Sequence, residues 1–175
     1  MRSIITRVAG MAAVVVLMVL QPASAVVMKP GVEYSEGTRV DTPGTGASFI
    51  IPDSYTGILP HGATFFVMGS KVQKSYIFVQ VDQMNAADAL ENMGNPYPLG
   101  HGMTLMPTGK IRKIDQMLVA HYSVEGSPQP LKGYIEARIS DGGLSVRYIV
   151  ISAPETATHV HGVVHNLIQD TELDK

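Results

Sequence analysis

Histidines near the end of the chain are the first residues whose spacing could support chemistry. Residues 159–165 read HVHGVVH and hold three of the six histidines in the sequence. In a helix, His161 and His165 would share a face, whereas His159 would lie about 160° away from His161. Imidazole is a frequent zinc ligand, and such a site needs three or four ligands. His161 and His165 are therefore candidate metal ligands; the alternative is that they flank a buried stripe and contact water.

Hydroxyl nucleophiles are the second candidate chemistry. A hydrolase of this kind needs a Ser or Thr beside a histidine that an acid orients. The sequence contains no Gly-x-Ser-x-Gly motif, and Ser70 and Ser127 each follow a glycine in segments typical of turns. Neither a lysine nor a helix start follows Gly44-Thr45-Gly46, so this segment lacks the pattern of a P-loop. We therefore predict no catalytic residue and no cofactor, and a hydrolase remains a third alternative.

Large apolar side chains in two predicted loops form a candidate binding surface. The loops are residues 53–62 and 95–102, in which prolines and glycines interrupt any regular pattern. Their apolar side chains could line a groove for an apolar ligand or a partner protein. They could equally fold back over the ends of a sheet. The candidate partner-binding residues are Tyr55, Ile58, Leu59, Tyr97 and Leu99.

Runs rich in β-branched and aromatic residues predict the sheet that must position these groups. The predicted strands are residues 47–52, 63–68, 75–81, 103–106, 110–114, 116–124, 132–140 and 144–152. The centre of residues 116–122 is nearly continuously apolar, which predicts burial on both faces. In residues 134–139, apolar and polar side chains alternate only partly.

Two helices are predicted beside this sheet. Residues 86–93 are strong helix formers that Asn85 can cap and Gly94 can end, and Ala89, Leu90 and Met93 would face the sheet. A second helix opens at Pro154 and Glu155. Its apolar stripe is Ala157, Val160, Val163, Val164, Leu167 and Ile168. The elements predict a single α+β domain at residues 47–173, an antiparallel sheet of about seven strands with a mid-chain helix and a C-terminal helix packed on it.

The first 46 residues predict an export signal and a leader. Arg2 and Arg7 accompany an apolar run at residues 8–20, and Ala23-Ser24-Ala25 is a small-x-small cleavage site. The run is shorter than the roughly 20 apolar residues that span a bilayer. We predict a signal peptide at residues 1–25, cleaved after Ala25, with an uncleaved anchor as the alternative. Residues 26–46 predict a flexible leader with at most a short strand at residues 38–40.

Composition excludes several classes of protein. The sequence has no cysteine, which removes disulfides, thiolate metal sites and a lipid-acylated cysteine. The formal net charge is −2 and no run of five basic residues exists, so nucleic acid is not an expected partner. No second long apolar run follows the signal, so we expect no stable membrane span after cleavage.

Taken in chain order, these segments resemble the PsbP-like fold. The resembling features are residues 48–52, the hairpin ending at Val81, the short helix before Gly94, the turn Asp141-Gly142-Gly143, and residues 150–154 leading into the last helix. They extend from residue 47 to residue 171. The resemblance implies an antiparallel sheet between helices, and members of this fold tend to bind other proteins as accessory subunits. No binding motif of the family matches position by position, so no functional residue is carried over.

The sequence therefore predicts an exported accessory module, periplasmic or secreted, that binds a protein partner in the cell envelope and performs no chemistry. The alternative is a carrier of a metal ion or of a small apolar ligand, and a hydrolase comes third. Fold does not fix function, so each of these predictions must be argued from the site.

Overall fold

The computed structural model describes residues 24–173 of the chain. All but the last two residues of the predicted signal peptide therefore lie outside the described residues. The described part is one α+β unit with two sheets and two helices. Neither of these helices is long and apolar enough to cross a membrane.

Short strands dominate the element order. The strands are β1 (Val26–Val27), β2 (Glu33–Tyr34), β3 (Arg39–Asp41), β4 (Ala47–Ile50), β5 (Thr56–Ile58), β6 (Phe65–Ser70), β7 (Ser75–Gln83), β8 (Tyr97–Gly100), β9 (Met103–Pro107), β10 (Arg112–Ile114), β11 (Met117–Glu125), β12 (Lys132–Ile139), β13 (Leu144–Ser152) and β14 (Glu172–Leu173). The helices are α1 (Ala86–Gly94), which follows β7, and α2 (Ala157–Asp170), which follows β13.

Ten strands form one large antiparallel sheet. Their order is β2-β5-β6-β7-β13-β12-β11-β9-β8, and β10 also pairs with β11. The sheet has the predicted type, but its ten strands correct the expected number of about seven. The strands β2, β5 and β8 were not predicted because each has only two to four residues. Such short runs show no alternation that a sequence pattern could reveal.

The segment predicted as a flexible leader instead contributes three strands. In a second sheet of order β1-β3-β4-β14, β3 pairs antiparallel with β4, and β1 pairs parallel with β3. Met28, Tyr34 and Val40 are buried in the main core. Their burial depends on partners later in the chain, so the composition of residues 26–46 alone gave no sign of it. The strand predicted at residues 38–40 corresponds to β3.

Each helix covers one face of the large sheet. Helix α2 packs on β12 and β13 and buries Val160, Val164, Leu167 and Ile168, which are four of the six residues of the predicted stripe. Helix α1 packs over β12 on the other face. Because β13 lies between β7 and β12 under both layers, all nine of its residues are buried.

Local signals account for the limits of α1. The Asn85 side chain accepts hydrogen bonds from the backbone N–H groups of Ala87 and Asp88 at 2.9 and 3.0 Å, as the cap prediction requires. Ala89 and Met93 are buried, one turn apart. Leu90 was predicted to face the sheet but is exposed, because it lies one residue further round the helix than Ala89.

Candidate functional site

A carboxylate lies buried beneath helix α2. Glu136 is in the middle of β12 and its side chain has no exposed surface. Tyr134 and Arg138 lie on the same side of β12, because alternate residues of a strand share a face. The Arg138 guanidinium donates hydrogen bonds to the backbone carbonyls of Ile168, Gln169 and Thr171. These bonds fix the end of α2 over the face that carries Glu136.

Two histidines of α2 approach this carboxylate. His161 Nε2 lies 3.0 Å from Glu136 Oε1, and His165 Nδ1 lies 3.7 Å from the same oxygen. Glu136 Oε2 has no hydrogen-bond partner among the described residues. Burying a carboxylate is costly unless it is paired or hydrogen-bonded, so the contact with His161 is central to this arrangement. The structure thus brings the two predicted histidines together and adds an acid that the sequence analysis did not identify.

His121 on β11 extends the group of imidazoles. Its ring centre lies 5.9 Å from that of His161. Its Nε2 is 3.1 Å from an Arg112 nitrogen. Arginine can only donate, so Nε2 accepts and the neutral ring carries its proton on Nδ1. Burial, reinforced by the charges of Arg112 and His161, holds the pKa of His121 below its ordinary value.

Tyr134 packs between the sheet and α2. Its ring centre is 4.9 Å from that of His161, and its hydroxyl donates to the Val160 carbonyl at 2.9 Å. Burial raises the pKa of this phenol, and the nearby charge of Glu136 adds to the effect. Tyr134 therefore stays neutral, and its ring packs against the His161 ring.

These groups border an open cleft of about 530 Å³ between the first turns of α2 and strands β11 and β12. We call it the histidine cleft. It is lined by Thr108, His121, Tyr122, Ser123, Leu131, Lys132, Gly133, Tyr134, Pro154, Ala157, Thr158 and His161.

The histidine cleft contains an acid–base pair but no activated hydroxyl among its hydrogen-bonded residues. Glu136 and His161 form the pair that a hydrolase would need. However, the Thr108 hydroxyl donates to the His121 carbonyl at 3.0 Å, and the Ser123 hydroxyl donates to the Met106 carbonyl at 3.5 Å. Each hydroxyl donates its hydrogen bond to a backbone carbonyl rather than to His161. Neither of these two hydroxyls is therefore hydrogen-bonded to His161.

Metal binding by these histidines stays a prediction. Within residues 24–173, no group of three or more His, Asp or Glu side chains is arranged to hold a metal ion. His161 is hydrogen-bonded to Glu136, whereas His165 lies 3.7 Å from that carboxylate and 3.1 Å from the Gln169 amide. His159 is exposed on another side of α2, as the helical spacing predicted.

A second candidate surface lies on the opposite face of the large sheet, where β5, β6 and β7 pair. We call it the aromatic face, and its residues are Ile58, Phe65, Val67, Tyr76 and Phe78. Strand register places them together, because Val67 lies opposite both Ile58 and Phe78. The rings of Phe65 and Phe78 meet edge to face at 5.9 Å.

Solvent reaches much of the aromatic face. Tyr76 is 55% exposed, and the other four residues are partly exposed. The Tyr76 ring covers Gly69, since a Cβ added there would lie 3.2 Å from the ring. Tyr76 also borders an adjoining cleft of about 550 Å³ that includes Met103, Leu131 and Ile151. The apolar surface therefore continues across the sheet beyond β7.

The predicted loop residues occupy three different environments. Tyr55 is only 1% exposed, and its hydroxyl lies 2.6 Å from that of Ser75, so it is a core residue rather than an accessible contact. Leu59 packs against the core on the α2 side. Tyr97 and Leu99 lie in β8 and pack against the core on the α1 side. Only Ile58 belongs to the aromatic face, and the binding role predicted for these residues remains a prediction.

The two loop predictions failed for a local reason. Residues 53–62 contain β5 and residues 95–102 contain β8, so both segments pair with neighbouring strands. Prolines and glycines in them masked strands of only three and four residues. The sequence did carry a sign of the aromatic face, because in β6 and β7 large apolar residues occupy both alternating sets of positions. When only one face of such strands is fully covered, the apolar residues of the other face remain exposed.

No family model matches the sequence, and no curated protein matches it. Solved structures do resemble the fold. One is the solution structure of cyanobacterial PsbP (CyanoP) from Synechocystis sp. PCC 6803, with a TM-score of 0.53 and 11% sequence identity. The match covers 83% of this chain and 97% of that chain. The PsbP-like fold predicted from the sequence is therefore confirmed, and a likeness at this identity concerns the fold alone.

Proposed function

We propose that this chain is an exported accessory module that binds a protein partner and performs no chemistry itself. The observation that carries the proposal is the aromatic face. Contiguous apolar surface on a folded domain marks an interaction site more often than scattered single residues do. Aromatic side chains are also enriched in protein interfaces. Three of the five residues of this face, Phe65, Tyr76 and Phe78, are aromatic.

The rigid support of the aromatic face favours recognition of another protein. Its residues belong to β5, β6 and β7, and β7 pairs along its whole length with the buried strand β13. Side chains held on such a scaffold lose little conformational entropy when a partner covers them. Binding would bury the exposed part of Tyr76 without rearranging the backbone.

The binding role agrees with the chemistry of the histidine cleft. Glu136 is sealed behind His161 and cannot touch a substrate directly. The Thr108 and Ser123 hydroxyls are committed to backbone carbonyls. Export is supported by the signal-like N-terminus, and the first strand, β1, begins at Val26, the residue after the predicted cleavage point.

The proposal is tested by capturing a partner with matched variants. Mature chain from residue 26 onward is immobilised and exposed to an envelope extract of the native organism. We expect Tyr76→Lys to weaken retention of a defined partner by about tenfold or more, because a charge would replace a central aromatic contact. Val72→Lys is the control, since Val72 is 73% exposed in the turn between β6 and β7. Thermal unfolding of both variants checks that they fold.

Two results would contradict the proposal. Repeated recovery of no partner by the wild-type chain would remove its basis. Equal loss of the partner in Tyr76→Lys and Val72→Lys would show that the aromatic face is not the contact. Light scattering of the purified chain identifies self-association, which would make a second copy, rather than a different protein, the occupant of this face.

A carrier of a metal ion or small apolar ligand is the alternative function. A cleft of about 390 Å³ favours the apolar ligand, because Leu59, Phe66, Val79 and Val81 are among the residues that line it. Metal analysis and lipid extraction of the same native preparation separate this alternative from the accessory role.

A further inference from the structure

We propose that the histidine cleft binds an anionic oxygen group, a carboxylate or a phosphate. This inference goes beyond the accessory function and concerns the face of the sheet opposite the aromatic face. A free small anion and an acidic segment of a protein share this chemistry, so the experiment below separates them.

The ionisable side chains that line the cleft are bases or phenols. His121, Lys132 and His161 are the bases, and Tyr122 and Tyr134 are the phenols. None of the described residues that line the cleft is Asp or Glu. Glu136 lies behind His161 and is fully buried. A negatively charged group entering the cleft therefore meets nitrogen donors first and the carboxylate only through the His161 ring.

Each imidazole still has a ring nitrogen available for a ligand. His161 Nε2 donates to the Glu136 carboxylate, so its Nδ1, which has no hydrogen bond among the described residues, can donate to a ligand only when the ring is protonated. His121 uses Nε2 to accept from Arg112, which places its proton on Nδ1. Arg112 adds a positive charge beside the cleft without occupying it. Imidazole and ammonium donors form shorter and stronger hydrogen bonds with an anionic acceptor than with a neutral one.

The start of α2 adds to the same preference. Ala157 and Thr158 in its first turn line the cleft. The backbone N–H groups of a helix N-terminus carry a partial positive charge, and the first turn of α2 contains no acid that would neutralise it. This effect supports the side-chain donors but would not define a site without them.

Anion binding should be linked to protonation of His121, because charged groups surround this ring. Arg112 of β10, His161 of α2 and Tyr134 of β12 face it, with Lys132 and Glu136 further along β12. Burial and the two neighbouring positive groups lower the pKa of His121. A bound anion would offset those charges and raise this pKa. The complex would then take up a proton, and binding would strengthen as the pH falls through the His121 pKa of the complex.

Isothermal titration of the mature chain tests the site, with inorganic phosphate, acetate and a short Asp/Glu-rich peptide as separate probes. We expect saturable binding of at least one probe, weakening with added salt. Buffers of different ionisation enthalpy should reveal proton uptake on binding. Lys132→Gln should weaken binding about threefold, and His121→Gln with Lys132→Gln about tenfold. Lys71→Gln is the control, since Lys71 is exposed outside the cleft.

The probe that saturates the site identifies the kind of anion that binds. Saturation by phosphate or acetate at millimolar concentration supports a small-anion site, and saturation by the peptide alone supports an acidic partner segment. Absence of saturation by all three at about 20 mM would overturn the inference, because that corresponds to a negligible affinity. Equal affinity of the double variant and Lys71→Gln would also overturn it. Neither failure touches the aromatic face, which Tyr76→Lys tests separately.

Discussion

Glu136 and Arg147 are both charged, both buried in central strands of the large sheet, and lie on opposite faces of it. Glu136 of β12 faces α2 and meets His161 and His165. Arg147 of β13 faces the α1 side, where its guanidinium contacts Asp82 of β7. Each has one polar atom without a described partner, Oε2 of Glu136 and Nε of Arg147.

The two charges differ in what their partners can do. The partner of Arg147 is the carboxylate of Asp82, which is 33% exposed. The partners of Glu136 are two imidazoles, each of which has a second ring nitrogen that can bind another group. Their side chains are also 38% and 39% exposed, so solvent and ligands can reach them. Exposure of the partners is therefore similar in the two pairs, and the difference lies in the imidazoles, whose second ring nitrogen is available to a ligand.

The largest effect is expected from breaking the Arg147–Asp82 pair. Asp82→Asn leaves the Arg147 guanidinium buried without a countercharge, and we expect a loss of about 3 kcal/mol in the free energy of unfolding. Urea denaturation at pH 7 measures it. Glu155→Gln, which breaks the exposed Lys74–Glu155 pair, is the matched control and should leave the midpoint unchanged. A loss in Asp82→Asn no greater than in the control would show that Arg147 is hydrated.

A smaller effect is expected for the accessible pair. A double-mutant cycle of Glu136→Gln and His161→Gln should give a coupling of about 1 kcal/mol, because each single change leaves a polar partner less well satisfied. The same cycle on Lys74 and Glu155 should give no measurable coupling. Denaturation curves of the seven proteins, which share one wild type, provide both values. A coupling at Glu136–His161 as small as that of the exposed pair would mean that this contact does not hold α2 on the sheet.

The smallest effect is the pH dependence that His121 contributes. Its pKa is lowered from the ordinary value of 6.5, so below that pH the unfolded chain binds more protons at this position than the folded chain. The stability of the wild-type chain should therefore fall as the pH decreases through 6.5. His121→Gln should flatten this slope, whereas His159→Gln, at an exposed position of α2, should not. Thermal unfolding from pH 5.5 to 8 gives the slopes, and identical slopes in wild type and His121→Gln would contradict the expectation.

The elements built from local signals were predictable from the sequence. The Asn85 cap, the Val160, Val164, Leu167 and Ile168 stripe, and the hairpin at residues 132–152 all depend on residues close together in the chain. The near-continuous apolar run of β11 was buried as expected over Met117, Leu118, Val119 and Ala120. Such signals are sufficient because a capping residue or a 3.6-residue period acts within one element.

The site depends on contacts that no local pattern contains. Glu136 occupies a position in β12 where partial alternation gave no reason to expect a buried carboxylate. Its burial follows from α2, 25 residues later, placing His161 over it. Similarly, the helical spacing paired His161 with His165, but it could not show that His121 of β11 would join them. Tyr55 was predicted to be accessible but is buried. Its partner Ser75 is 20 positions away, so no local pattern could reveal the contact.

The small sheet ties the order of folding to the order of the chain. Its strand β4 pairs with β14, and Ser48 and Glu172, which face each other there, are 124 positions apart. Contacts between such distant positions form late, since the loop between them must close first. A chain that is still being synthesised keeps one edge of β4 unpaired until residue 172 is available. Closure of this sheet therefore waits for Glu172 and Leu173, whatever the rest of the chain has already formed.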